Sequence, residues 1–141
     1  MSPESRRLAG ILLVLLPTVI FGGVSILGLL INDPRYMQNA LRQDLWRAGH
    51  AHAGVLLVLS LVALQYVDEA NLSERAKQFV RTAIPSSAIL VPVGFFFSVL
   101  TPEATSPNEF IYLDYVGAVV LAAGLLVLGI GLIRKHTGVA A

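Results

Sequence analysis

Asp44, Arg47, His50 and His52 lie together in the run Asp44-Leu45-Trp46-Arg47-Ala48-Gly49-His50-Ala51-His52-Ala53-Gly54, which opens directly into a long apolar segment. Imidazoles are the side chains that exchange protons near neutral pH and the commonest ligands of metals and haem iron. Asp114 is the other ionisable residue that falls inside an apolar segment at comparable depth. Ionisable groups within a membrane span are costly enough to mark a functional site. These four residues, Arg47, His50, His52 and Asp114, are the candidate binding set, with His50 and His52 the candidate metal ligands.

The helical rotation of about 100° per residue places His50 and His52 roughly 200° apart, so one helix cannot aim both at a single ion unless Gly49 or Gly54 unwinds the turn. His50 shares a face with Gln43, Arg47 and Gly54, and His52 with Asp44, Ala48 and Leu56. The small residue one turn below His50 favours His50 as the inward group, paired with Asp114 across two helices. Hydrogen bonding among Arg47, His50, His52 and Asp114 that merely fixes helix register is the structural alternative.

Arg47-Ala48-Gly49-His50-Ala51-His52-Ala53 and the apolar run after it resemble the second transmembrane helix of haem-copper oxidase and nitric oxide reductase large subunits. There an arginine shortly precedes a haem-ligating histidine. By position the resemblance implies that His50 is an axial ligand of a b-type haem and Arg47 a propionate partner. Outside this stretch the pattern departs from the family, with no later histidine-bearing helix and no copper ligands. A divalent metal is the other cofactor the histidines suggest.

The elements that must position these residues are membrane spans. Hydrophobic residues make up 55% of the chain, 13% are charged, and the mean hydropathy is +0.73, too apolar for a soluble domain of 141 residues. Four charge-poor segments, at about 8–30, 48–67, 84–101 and 111–133, are each close to the length that crosses a bilayer. The expected fold is an all-α membrane protein, one domain over 1–141, built as an antiparallel bundle of four transmembrane helices. The first segment reads as a retained helix rather than a cleaved signal, because its apolar core is too long for a signal peptide. Asn32-Asp33-Pro34 signals a helix start, and apolar residues at three- and four-residue spacing from Met37 to Ala48 predict a short amphipathic interfacial helix between the first two spans. Residues 71–84 read as a polar connection, with Asn71 or Ser73 as a cap.

On the fourth span Gly117, Gly124 and Gly131 alternate with Leu121 and Leu128, a stripe suited to close helix packing, and Asp114 continues it. Of the ten basic residues, Arg6, Arg7, Arg75, Lys77, Arg81, Arg134 and Lys135 fall at the termini and in the second connection. The positive-inside bias therefore predicts a multi-pass protein of the cell (plasma or inner) membrane with both termini cytoplasmic and the histidines facing outward. His136 reads as a solvated tail residue.

Several function classes are excluded by composition. A net charge of +1 without a basic block argues against nucleic acid as a partner, and the lack of cysteine rules out disulfides, thiolate-held zinc, iron–sulfur clusters and c-type haem. Ser86, Ser87 and Ser98 have no base in their span and read as backbone-bonding residues. No nucleophile–base pair or phosphate loop can be assembled, so the chain is not expected to be an enzyme on its own. The leading expectation is an outward-side pocket for a haem, metal ion or small redox ligand. A small proton-coupled transporter, and an accessory subunit of a larger membrane complex, are the alternatives. The expected partners are the lipid bilayer and either further copies of the chain or that complex.

Overall fold

The computed structural model describes residues 1–134, so the expectation for His136 lies outside the described residues. Its elements are α1 (Pro3–Asn32), α2 (Pro34–Met37), α3 (Ala40–Tyr66), α4 (Glu74–Ser98), a 3-10 turn (Glu109–Ile111) and α5 (Tyr112–Ile133). α1, α3, α4 and the turn-plus-α5 unit are each long and apolar enough to cross a membrane. The chain is thus an all-helical, four-span membrane protein.

Local chemistry explains the helix starts. Ser2, Asn39 and Ser73 each accept a hydrogen bond from a backbone amide of the first turn, and Pro3 and Pro34 stand where a missing N–H does no harm. Asp33 caps α2, as its place before Pro34 predicts, but α2 is a single turn. The rest of the predicted interfacial helix belongs to α3, which continues without interruption through Gly49. α4 likewise begins ten residues before the predicted span at 84, because Ser73 caps it and Glu74 suits its first turn. Polar composition marks where a helix leaves the bilayer, not where it ends.

Consecutive spans pack in chain order, α1 on α3, α3 on α4, and α4 on α5. The core runs through the α3–α4–α5 seams and includes Leu56, Leu64, Val80, Ile84, Val91 and Leu128. The glycine stripe faces this core. A Cβ on Gly117 would lie 2.6 Å from Val91 Cγ2, and one on Gly124 would lie 2.8 Å from Ile84 Cγ1, so α4 and α5 approach at a distance only glycine permits. Much of α1, including Val14, Ile20 and Phe21, remains exposed on the apolar perimeter. Ser87 and Ser98 each donate to a carbonyl three residues back, consistent with a backbone-bonding role.

Polar ties close both ends. At one end, Asp68 accepts from the Ser2 amide (2.6 Å), the Ser5 hydroxyl (3.2 Å) and Arg81 (2.6 Å), while Arg81 Nε also donates to Ser5 (3.1 Å). This latch joins α1 to the α3–α4 connection. Burial alone would push the Asp68 carboxyl up, but hydrogen bonds from the Ser2 amide, Arg81 and the serine hydroxyls outweigh it and hold the carboxyl at about 2. Its folded value lies below the ordinary unfolded value near 3.9, so the stabilisation is complete above that pH and disappears as pH falls through about 2. The difference corresponds to about 2–3 kcal/mol. Thermal unfolding in detergent should weaken by that amount over this acid window in wild type, and the window should vanish in Asp68→Asn.

At the other end, Arg42 is buried. Its Nε donates to Val99 O (3.1 Å) and Nη2 to Leu100 O (3.4 Å), supplying donors where the helical pattern of α4 runs out. The guanidinium lies 4.5 Å from the ring centre of Trp46 and 5.8 Å from that of Tyr36. Trp46 donates to Phe96 O (3.2 Å), and the Asn39 amide donates to the carbonyls of Pro102 (2.9 Å) and Ala104 (3.0 Å).

Candidate functional site

The four predicted site residues do not converge on one point. Arg47 is on the surface, with Nη2 donating to Asp44 (2.7 Å), and both side chains are more than half exposed. A pair in that setting contributes little to stability. The buried arginine of this end is Arg42, one turn earlier, and its role is to close α4.

His50 and His52 diverge as the helical rotation requires. His50 faces α1, where its ring occupies a notch left by Gly22 and Gly23. A Cβ on Gly23 would lie 2.8 Å from His50 Nε2, and Gly54 on the same α3 face packs near Val19. His52 turns the other way and lies against Phe95 of α4, with ring centres 5.2 Å apart. Its Nδ1 is 2.8 Å from Ala48 O. A carbonyl can only accept, so Nδ1 carries the hydrogen and Nε2 is left with a lone pair, the tautomer suited to take a proton or bind a cation.

Asp114 enters the α4–α5 seam in the first turn of α5. Gly94 makes room for it, since a Cβ there would lie 2.8 Å from Asp114 Cγ and 3.0 Å from its backbone nitrogen. Both carboxylate oxygens are buried and, among the described residues, neither has a hydrogen-bond partner. His52 is near enough to act on Asp114 electrostatically. The expected pairing of His50 with Asp114 is therefore corrected: His52 is the histidine on the Asp114 side, and His50 belongs to the α1–α3 interface. The spacing argument correctly separated the two imidazoles but assigned the inward one wrongly, because Gly54 opens space toward α1 rather than toward α5.

The arrangement can do limited chemistry. Among the described residues no three histidine, aspartate or glutamate side chains are placed to hold a metal ion. What remains is a carboxylate without a partner, an imidazole with a free nitrogen, and Phe95 beside it as an apolar wall. Residues that sequence reasoning passed over are Arg42, Asp68, Arg81 and Gly94. Only Gly94 carried a usable sign, as a lone glycine within an apolar span. Tyr36 was also missed; its hydroxyl is buried with no partner among the described residues, and burial pushes the phenol up against the opposing charges of Arg47 and Arg42.

Comparison with protein-family models, curated proteins and solved structures finds no match for this chain.

Proposed function

We propose that the protein is a small proton-coupled carrier of the cell membrane, with both termini cytoplasmic and Asp114 as its proton- or cation-accepting group. The observation that carries this reading is the Asp114 carboxylate, buried in the α4–α5 seam with both oxygens unpartnered among the described residues. An ionised carboxylate in such surroundings is expensive, and a proton or small cation removes the cost. His52 is the exchange partner, because its Nε2 makes no hydrogen bond among the described residues and it is the histidine on the Asp114 side. Seven basic residues at the termini and second connection support the orientation.

Proton flux into liposomes containing the purified protein tests this. An imposed pH gradient should collapse faster than in empty liposomes. Asp114→Asn should reduce the protein-dependent rate at least about tenfold, equivalent to about 1.4 kcal/mol of barrier, with a smaller loss in His52→Ala. Unchanged flux in Asp114→Asn would remove the proposal.

A second reading keeps the resemblance to haem-binding helices. It is favoured by the His50 ring, which makes no hydrogen bond among the described residues. With Nε2 against Gly23, however, α1 would have to part from α3 before iron could approach. The opposed imidazoles also require a second subunit for bis-histidine ligation. An optical spectrum of the protein in mild detergent decides it: a Soret band lost in His50→Ala supports haem, and a colourless protein with active proton flux supports the carrier.

A further inference from the structure

The cleft between α1 and α4, near the N-terminus and far from Asp114, has the chemistry of an amphipathic ligand site. α1 packs mainly on α3, which leaves a lateral groove whose floor is Leu12 and Leu57 and whose walls include Ile11, Leu15 and Ile89. From Leu8 to Leu15 the groove follows α1 for about 10 Å at the helical rise of ~1.5 Å per residue. Its floor is buried, while Ile11 (47% exposed) and Ile89 (61% exposed) face outward, so it opens sideways into the bilayer.

At the helix-end mouth the groove becomes polar. Two adjoining cavities share Glu4 and Gln78 with each other; one also shares Arg81 with the groove, and the other shares Leu8 and Ile11 with it. They add Arg7 and Arg75 to the rim. Neither arginine is engaged in an ion pair among the described residues, whereas Glu74 pairs with Lys77 and Asp68 with Arg81. Glu4 leaves the rim with one surplus positive charge. Ser86, on the groove wall, makes no hydrogen bond among the described residues and can donate to an ester carbonyl.

We propose that this cleft binds one anionic phospholipid, its phosphate between Arg7 and Arg75 and an acyl chain along Leu12, Leu15 and Leu57. Charge complementarity selects the headgroup, because juxtamembrane Lys and Arg side chains attract anionic lipid. The apolar groove distinguishes a seated lipid from a merely attracted one.

Native mass spectrometry of the full chain, with equal amounts of phosphatidylglycerol and phosphatidylcholine of identical acyl chains, tests the proposal. One phosphatidylglycerol should remain bound about tenfold more often than phosphatidylcholine, about 1.4 kcal/mol of preference. The double variant Arg7→Gln/Arg75→Gln should lose the preference, and Ile89→Trp, which fills the groove from an exposed position, should lose retention of both lipids. Circular dichroism checks that both variants remain helical. Equal retention of the two lipids by wild type overturns the proposal. So does a preference that survives the arginine changes, or lipid retention that survives Ile89→Trp, which would leave surface charge as the whole effect.

Discussion

Replacing Arg81 with alanine should destabilise the protein by about 3–5 kcal/mol, the range expected when one member of a buried ion pair is removed. The guanidinium is 5% exposed and donates to Asp68 (2.6 Å), Ser5 (3.1 Å) and Ser2 (3.3 Å). Without it Asp68 is left with the hydrogen bonds from Ser2 and Ser5, and a largely buried charge loses its counterion. Helix content followed through thermal unfolding in mild detergent measures the loss. Arg81→Lys should recover only part of it, because an ammonium cannot reproduce the guanidinium's fixed fork of donors. The double variant Arg81→Ala/Asp68→Asn should be less destabilised than the sum of the two single changes, since each removes the same interaction. A cost below about 1 kcal/mol would place this cluster with ordinary surface pairs.

Gly94→Ala should be the most damaging single-methyl addition on the candidate site. The new Cβ would lie 2.8 Å from Asp114 Cγ and 3.0 Å from the Asp114 backbone nitrogen. A carboxylate can swing aside, but a helix backbone cannot, so α5 must shift away from α4. Overpacking of that kind costs about 1–3 kcal/mol. Gly129→Ala is the matched control, because a Cβ there meets nothing within 4 Å. It should be neutral or gain up to about 1 kcal/mol from the better helix propensity of alanine. Gly94→Ala should also lower proton flux, whereas Gly129→Ala should leave it intact. Equal effects of the two substitutions would mean that the Gly94 notch has no special relation to Asp114.

The four spans were legible because bilayer thickness imposes a length and because few polar side chains are tolerated within it. The glycine stripe of α5 was legible for a related reason, since a repeat of small residues has few uses in lipid other than close packing. Asp114 stood out by charge alone. Which histidine it would meet did not, because that depends on the rotation of α3 about its axis. His50 and Gly54 indicate a space on one face of α3 without saying which neighbour fills it. The contributions of Asp68 and Arg81 were hidden differently. Their partners Ser2 and Ser5 are more than sixty residues away in sequence, and no local pattern links them. Arg42 was overshadowed by Arg47, whose place next to His50 suggested a ligand partner. In the folded protein the nearer arginine is solvated and the farther one is enclosed by Tyr36 and Trp46.

The chain has one tryptophan, and its position at the junction of α3 and α4 makes it a built-in optical reporter. Trp46 donates its indole hydrogen to Phe96 O, faces the Phe96 ring edge-on at 5.9 Å and carries the Arg42 guanidinium above it. Its fluorescence therefore senses separation of α3 from α4 at this end, and a local opening of α1 at the distant Ser2–Asp68 latch should leave the emission unchanged. Emission and helix content recorded on the same sample would then tell a helix that has swung away from a protein that has come apart.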